Sequence, residues 1–354
     1  MPPRAKSLTV LLVLAAGVAG GLLFRLLHLP LPWTLGAMFG AALLSFYDRN
    51  RVLPTIFRDG ARPVIGVMAG SAFTPLVVQT ITGWWMLVPI LVFFFLLVTT
   101  CGFYFFRLLG YDRSTAIFAS MPGGLGEMTL LGAQFGADIR KLVLVHSVRI
   151  IIVVSAVPFL LTLMTDVNLV KGAAPVGDHA VASAVDWLIL LLCACLGYLA
   201  GRPLRSFGGI MIMPLLFSAV AHGTGMTAIA PPAWLVAGMQ VVIGCITGAR
   251  FAGIKFHEAR LALMQGVFWT SILIGLSLVA AEVTSIIVDQ PFAALFLAFA
   301  PGGFAEMSII AFAANIEVAF VVTCHVFRTI YVVLAGPSIH RLLAGKKDME
   351  TDRP

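Results

Sequence analysis

The chain has 354 residues, of which 60% are hydrophobic and 11% are charged, and its formal net charge is +7. A soluble protein of this length has about 25% charged residues, so the composition excludes an ordinary water-soluble domain. The positive charge does not indicate nucleic-acid binding, because the basic residues lie in short loops between apolar runs and not on one face.

Twelve hydrophobic elements are predicted, with lengths close to the roughly 17 to 25 residues that a helix needs to span the hydrocarbon core. They predict an all-α integral membrane protein. In the first half of the chain the elements cover residues 8–27, 31–47, 63–82, 85–106, 114–137 and 142–163. In the second half they cover residues 181–201, 207–222, 233–250, 262–286, 291–315 and 318–340.

The two sets of six elements predict two membrane repeats joined by a polar linker. The predicted units are residues 1–163 for the first repeat, 164–180 for the linker, 181–340 for the second repeat and 341–354 for a cytoplasmic tail. The first apolar run follows Arg4 and Lys6 and is similar to a signal peptide. We interpret it as a retained helix, because the run 181–201 occupies the matching place in the second repeat.

The third elements of the two repeats carry the same pair of small residues. Gly66 and Gly70 correspond to Gly244 and Gly248 at a shift of 178 positions. Small residues four apart allow helix backbones to pack closely in lipid, so we expect close helix contacts at both places.

A 28-residue segment occurs twice, at positions 122–149 and 301–328, with a constant shift of 179 and no gap. Eight of the aligned positions are identical, and they include helix breakers and polar side chains. Such a duplication is typical of membrane transporters built from two halves. The matched residues are Pro122, Gly123, Gly124, Glu127, Met128, His146 and Arg149 in the first copy and Pro301, Gly302, Gly303, Glu306, Met307, His325 and Arg328 in the second.

Each Pro-Gly-Gly segment predicts an interrupted helix. Proline removes a backbone donor and clashes with the preceding turn, and two glycines remove the remaining helical preference. The first N–H groups of the arm after the break lack partners and carry partial positive charge. Two such ends near the middle of the bilayer would attract an anion, so residues 122–124 and 301–303 are candidate substrate-binding residues. The alternative is a kink that only fits neighbouring helices.

The distribution of basic residues predicts the topology. If each broken element is re-entrant, each repeat has five spanning helices, the second repeat is inverted, and 19 of the 23 lysines and arginines lie on the cytoplasmic side. If both broken elements cross fully, the basic loop from Arg250 to Arg260 falls outside. We therefore favour inverted-topology repeats, each with about five spanning helices and one broken element. Re-entrant and discontinuous crossing forms both stay open. Both termini are then cytoplasmic, in a bacterial inner membrane.

Glu127 and Glu306 each lie one turn into the arm that follows a break. A carboxylate inside the membrane is costly, so it is a functional candidate by default. Three roles stay open, namely a proton carrier, a ligand for sodium or substrate, and a helix N-terminal acid that satisfies the dipole. Met128 and Met307 follow the two acids and are expected in the core, where their softness suits a moving interface.

His146 and Arg149 are three residues apart and share one helix face, and His325 and Arg328 repeat the arrangement. Arg149 is expected near mid-depth, where an arginine is too costly to face lipid. The arginines either pair with the two glutamates or bind an anionic substrate. The histidines are candidates for a proton relay, with a buried structural role as the alternative.

The sequence predicts neither a metal site nor a cofactor site. The seven histidines are scattered singly, without the close pairs typical of metal ligands, and no nucleotide-binding loop or nucleophile motif occurs. The five cysteines lie in apolar runs without zinc spacing. A non-enzymatic function is therefore expected.

The duplicated Pro-Gly-Gly-x-x-Glu-Met pattern resembles that of the AbrB-type membrane proteins, a family defined by this internal duplication. The resemblance covers nearly the whole chain and is sharpest at residues 122–128 and 301–307. Labels in that family include a regulator and an ammonia monooxygenase. The family is similar to cation/proton antiporter and anion transporter folds, which implies a transport site formed by discontinuous helices. In those folds the broken helices usually cross each other in full.

Together these observations predict a secondary active transporter that moves a small organic anion or zwitterion by alternating access around two broken helices. Protons are favoured over sodium as the coupling ion. The alternatives are a membrane-embedded metal-dependent oxidase and a passive channel. The expected partners are the substrate, the coupling ion and the lipid bilayer, without nucleic acid, and homodimerisation stays open.

Overall fold

The computed structural model describes residues 3–48, 52–165, 169, 182–251 and 256–343, and the structural statements below refer to these residues. They form helices, turns and loops, and no strand occurs among them. The all-α expectation is confirmed for this part of the chain.

The described helices lie in the first and the second half of the chain, and the predicted linker, 164–180, and tail, 341–354, lie largely outside the described residues. Those of the first half are α1 (Pro3–Leu26), α2 (Ala37–Tyr47), α3 (Thr55–Gly70), α4 (Pro75–Thr80), α5 (Leu87–Leu108), α6 (Arg113–Ser120), α7 (Leu125–Gln134) and α8 (Ile139–Met164). Those of the second half are α9 (Ala184–Gly201), α10 (Gly209–Gly223), α11 (Ala233–Gly248), α12 (Phe256–Ser285), α13 (Phe292–Phe299), α14 (Phe304–Ala314) and α15 (Val318–Leu343). A 3₁₀ segment, Ile81–Met86, joins α4 to α5.

Among the described residues, six helical segments are long and apolar enough to cross a membrane by length and composition. They are Leu8–Leu26, Pro75–Leu108, Ile139–Met164, Ala184–Gly201, Arg260–Ser285 and Val318–Leu342. Large apolar side chains such as Leu22, Phe93 and Leu334 are exposed on the outer faces of these segments. Water would disfavour so much exposed apolar surface, whereas lipid accommodates it. The protein is therefore a multi-pass membrane protein.

The boundary between the third and fourth elements differs from the prediction. The sequence predicts elements at 63–82 and 85–106, whereas α3 ends before a continuous helical segment, Pro75–Leu108. Thr74 caps this segment, because its hydroxyl oxygen accepts a hydrogen bond from the Val77 N–H (3.3 Å), and a proline occupies its first turn. Hydropathy alone places the boundary wrongly, because it ignores this cap and the polar first turns of α3.

α3 and α11 carry the two matched pairs of glycines, and each packs against the other half of the chain. α3 contacts α9 and α10, and α11 contacts α1 and α2. A Cβ atom at Gly66 or Gly70 would clash with the backbone of α10. One at Gly244 would clash with the backbone of Thr34, just before α2, and one at Gly248 with that of Met38 in α2. The glycines therefore permit close packing, as their spacing predicts, and the two halves interlock.

α6, α7 and α8 form a compact unit around the first break. The hydroxyl of Thr115, near the start of α6, accepts a hydrogen bond from the backbone N–H of Asp138, which immediately precedes α8 (2.7 Å). The rings of Phe118 and Phe135 stack with their centroids 5.6 Å apart. These contacts show that α7 folds back along α6. α13, α14 and α15 form the corresponding unit around the second break.

Candidate functional site

Both Pro-Gly-Gly segments interrupt a helix, as the sequence predicts. Residues 121–124 separate α6 from α7, and residues 300–303 separate α13 from α14. The last glycine of each break has nearly the same extended backbone, with φ −71° and ψ 156° at Gly124 and φ −72° and ψ 153° at Gly303. The two breaks are therefore copies of one local structure.

Each break leaves a backbone carbonyl without its helical donor, and a histidine side chain forms a hydrogen bond with that carbonyl. Pro122 has no N–H, so the carbonyl four residues earlier, at Phe118, has no i+4 partner. The Nε2 atom of His146 lies 2.9 Å from that oxygen. In the second half, Nε2 of His325 lies 3.0 Å from the oxygen of Leu297, which precedes the second proline by four residues. The histidines therefore supply hydrogen-bond donors to the carbonyl oxygens that the prolines leave without one.

The histidine geometry favours a structural role over a proton relay. A carbonyl oxygen only accepts, so Nε2 of both His146 and His325 carries the hydrogen. Both side chains have no exposed surface. The Nδ1 atom of each is buried and has no hydrogen-bond partner among the described residues.

The two arginines at matched positions of the duplicated segment bind the backbone of the breaks. Nη1 of Arg149 donates to the carbonyl of Met121 (3.2 Å), and its Nη2 donates to the carbonyl of Gly123. Nη1 of Arg328 donates to the carbonyl of Ala300 (3.3 Å). These carbonyls lie where the first arm has ended, so they lack helical donors. Each histidine–arginine pair therefore holds the broken backbone at successive acceptors.

This arrangement was missed from the sequence, which leaves a choice between glutamate pairing and substrate binding. Within the described ranges, no ion pair joins Arg149 or Arg328 to a carboxylate. Each arginine does lie within electrostatic range of both Glu127 and Glu306. The sequence carries no signal of these arginine contacts, because every acceptor is a backbone carbonyl.

The two glutamates lie at the N-termini of the second arms. The carboxylate of Glu127 lies close to Gly124, the residue that caps α7. A Cβ atom at Gly124 would collide with that carboxylate, and one at Gly303 with the carboxylate of Glu306. The acids therefore fold back over the glycines, where the partial positive charge of the helix end favours them.

The two methionines pack against the breaks. A Cβ atom at Gly123 would meet the side chain of Met128, and one at Gly302 would meet that of Met307. Both methionine side chains have no exposed surface. Their soft side chains fill the space that the glycines leave, which agrees with the expected core position.

A cavity of about 720 Å³ lies between the two breaks and the helices α3, α10 and α11. The second arms of both units contribute Gly124 and Glu127 from one side and Gly303 and Glu306 from the other. Apolar side chains from the surrounding helices, among them Ile150, Met211, Ile243 and Ile246, complete the wall. The site thus brings both glutamates, which are 179 positions apart in sequence, to one space.

Several of the candidate residues lie behind this cavity and not in its wall. The wall includes neighbours of the arginines, Ile150 and Thr329. The candidates outside the wall are Pro122, Gly123, Met128, His146, Arg149, Pro301, Gly302, Met307, His325 and Arg328. They pack around the breaks and support the residues that face the cavity.

Four other arginines line the cavity and were missed as site residues. They are Arg58, Arg62, Arg205 and Arg250. The sequence interpretation counted them among the cytoplasmic basic residues, because they lie at the ends of apolar runs. Arg58 and Arg62 are four apart and share one face of α3, which could have indicated a joint role.

Two of these arginines are already partnered. Nη2 of Arg205 lies 2.5 Å from Oδ2 of Asp59, and Nε of Arg58 lies 3.5 Å from Oδ1 of the same carboxylate. In the part of the chain that the structure describes, neither Arg62 nor Arg250 forms such an ion pair, and Nη1 of Arg250 is buried without a hydrogen-bond partner. The same part contains no group of three or more potential metal ligands.

These features define a class of protein, a multi-pass helical membrane protein in which two broken helices meet at one charged cavity. The family model described as transition state regulatory protein AbrB matches residues 47–344. The chain belongs to this AbrB family, as its duplicated motif predicts.

Two curated relatives span nearly the same length. The AbrB protein of Escherichia coli (strain K12), described as a candidate regulator, is 26% identical over 325 residues, which cover 91% of this chain and 92% of the relative. The uncharacterized protein YhjN of Bacillus subtilis (strain 168) is 24% identical over 355 residues, which cover 93% and 92%. The descriptions name a regulatory role for the family and for the first relative only.

Proposed function

We propose that the protein is a secondary active transporter of a small organic anion or zwitterion, coupled to protons through Glu127 and Glu306. The observation that carries the proposal is the cavity of about 720 Å³ that both broken helices share. Helix N-termini with acidic side chains face it from both repeats, which is the arrangement that discontinuous-helix transporters use for substrate and ion sites.

An inverted arrangement of the two repeats supports alternating access. The oxygen of Ser114, at the start of α6, lies 2.9 Å from Nε2 of His340, near the end of α15. The hydroxyl of Tyr111 donates to Oε1 of Gln265, early in α12 (2.8 Å). The early part of α12 and the end of α15 therefore both lie beside the start of α6, so these two helices run in opposite directions. The first broken element then enters from one face of the membrane as a re-entrant hairpin, and the second enters from the other face.

The orientation follows from charge. The cavity wall includes Ala133 and Ile139, which flank the turn between α7 and α8. Arg140 and Lys141 lie beside this turn, and by the positive-inside rule they are cytoplasmic. The cavity is therefore assigned as open toward the cytoplasm, with both termini on that side of a bacterial inner membrane.

Proton coupling follows from the position of the acids. A carboxylate that faces a cavity in the membrane is stabilised as an anion by nearby arginines and can be neutralised by a proton when the surroundings change. The histidines, held by backbone carbonyls, are assigned to the support of the breaks.

The test is transport by the purified full chain in proteoliposomes. Counterflow of labelled succinate, citrate and glutamate is measured with and without an imposed pH gradient. We expect saturable counterflow of at least one compound, driven by the gradient and lost in Glu127→Gln and Glu306→Gln. Glu282→Gln, which changes an exposed acid of α12 outside the cavity, is the matched control.

Three outcomes would count against the proposal. Flux that neither saturates nor shows counterflow would indicate a passive channel. Flux that is independent of pH, or full activity with both glutamates replaced, would reject proton coupling by these residues. No flux of any of the three labelled compounds would reject the proposed substrate class.

A further inference from the structure

The arginines of the cavity do not follow the twofold repeat. At the shift of 178 that relates α3 to α11, Arg62 corresponds to Gln240 and Arg250 corresponds to Ala72. The breaks and the glutamates are duplicated, whereas each of these two arginines occurs in one half of the chain only. A structural requirement of the repeat therefore does not explain these arginines.

Arg62 and Arg250 come from different elements that both border the cavity. Arg62 lies in α3, and Arg250 follows the end of α11 in a 3₁₀ turn. The ion pairs of Asp59 occupy Arg58 and Arg205 instead. Among the described residues, Nη1 of Arg250 is buried with no hydrogen-bond acceptor. A buried guanidinium without an acceptor is costly, so a bound acceptor would satisfy it.

The other charged groups around these two arginines are known. Arg62 lies within electrostatic range of Arg58, Asp59, Glu127 and Glu306. Arg250 lies within range of Arg58 and Glu306. Arg149 and Arg328 approach the same glutamates from behind the breaks. The lining contains four arginines and two glutamates, so an anion enters a cavity with an excess of positive charge.

We propose that Arg62 and Arg250 bind the two acidic groups of a small organic dianion in this cavity. The planar guanidinium group suits carboxylate and phosphate groups, with which it forms paired hydrogen bonds. Neither guanidinium group forms an ion pair within the described ranges. Two such groups on separate elements select a ligand with two acidic ends over one with a single acidic end. The dianion is then the substrate class of the proposed transport site. Its role as a transported substrate rests on the proposed function, whereas its binding does not.

The test is equilibrium binding to the purified full chain, measured by thermal unfolding at constant ionic strength. The probes are acetate, succinate, glutarate, citrate and inorganic phosphate at millimolar concentration. We expect at least one of the dicarboxylates to raise the unfolding temperature well above the value in acetate. Arg62→Gln and Arg250→Gln should each weaken that binding by about tenfold or more, because each removes a charge-assisted contact.

Two kinds of control keep the result interpretable. Arg202→Gln removes an exposed positive charge near the cavity but outside its wall, and should bind as the unchanged protein does. Arg62→Lys and Arg250→Lys keep the charge and lose the planar fork, so binding should weaken less than in the glutamine variants. If a glutamine variant does not fold, the lysine variant at that position still tests the contact.

The proposal is overturned if acetate stabilises the protein as well as the dicarboxylates do, or if neither dicarboxylate stabilises it. Equal binding by the arginine variants and the Arg202→Gln control would also overturn it. Transport and binding fail separately. If flux is saturable and pH-driven but the arginine variants bind the dianion as the unchanged protein does, the transport function stands and this site is rejected. If the dianion binds at this site but no flux occurs, the site stands and the transport function is rejected.

Discussion

The Nε2 atom of His146 lies 2.9 Å from the carbonyl oxygen of Phe118, an acceptor that Pro122 leaves without its helical donor. This relation explains why a histidine recurs at a fixed distance after each break. The same helix also positions Arg149, one turn further along, at the carbonyl of Met121 in the break. The motif is thus a device for keeping an interrupted helix ordered inside a membrane, where water is not present to satisfy the backbone.

Replacement of either histidine should destabilise the protein. In His146→Ala the buried carbonyl of Phe118 loses its donor, and we expect a loss of about 1 to 3 kcal/mol of unfolding free energy. Urea or thermal unfolding in detergent measures the change. His28→Asn is the control, because His28 is exposed with φ 54°, a conformation that asparagine tolerates. Equal stability of His146→Ala and this control would contradict the assignment.

A side chain at the capping glycine of either second arm should disturb the acid. In Gly124→Ala the new Cβ collides with the carboxylate of Glu127, so the acid must move and the proposed proton coupling should weaken. We expect a destabilisation of about 1 to 3 kcal/mol and slower pH-driven flux. Gly238→Ala, with open space around it on the exposed face of α11, should leave flux unchanged. Similar flux in both variants would show that the close approach is unimportant.

Dianion affinity should rise as the pH falls. Protonation of Glu127 removes negative charge from the neighbourhood of Arg62, so the cavity attracts an anion more strongly. The linkage is reciprocal, and coupling of the usual size would raise affinity about fivefold or more. Titration calorimetry of succinate across a pH series measures it. In Glu127→Gln the dianion affinity should be high at every pH and should change less with pH. An unchanged pH dependence would refute the linkage.

Neutralisation of Asp59 should release positive charge into the cavity. Asp59→Asn breaks the ion pair with Arg205 and also frees Arg58. The Arg205 side chain is 53% exposed, so the loss of stability should stay below about 1 kcal/mol. Dianion affinity should increase, because two further guanidinium groups become available. Weaker dianion binding by a folded Asp59→Asn variant would place the ligand elsewhere.

The proposed inverted topology predicts opposite labelling of two exposed positions. Arg140 follows the turn after α7, and Asp289 follows α12. After replacement of the five native cysteines, Asp289→Cys should react with a membrane-impermeant maleimide in intact cells and Arg140→Cys should not. Permeabilised cells should label both. Labelling of both, or of Arg140→Cys alone, in intact cells would contradict the topology.

The breaks and their polar companions could be predicted from the sequence, because Pro122 and Pro301 act through local backbone chemistry. The role of Arg149 could not, since its partner is a backbone carbonyl that leaves no trace in residue identity. The roles of Arg62 and Arg250 could not be predicted from the sequence either. Their place in the cavity depends on how α3 and α11 pack against the broken units, which is a long-range property.

Because α3 and α11 each pack against helices of the other half of the chain, the order of synthesis matters for assembly. The partners of α3, namely α9 and α10, are synthesised long after α3 has left the ribosome. The glycine face of α3 therefore enters the translocon or the lipid before the helices that pack against it exist. Assembly of the first repeat is then completed only by the second. We expect that neither repeat expressed alone would escape proteolysis, whereas co-expression of the two as separate chains would rescue both.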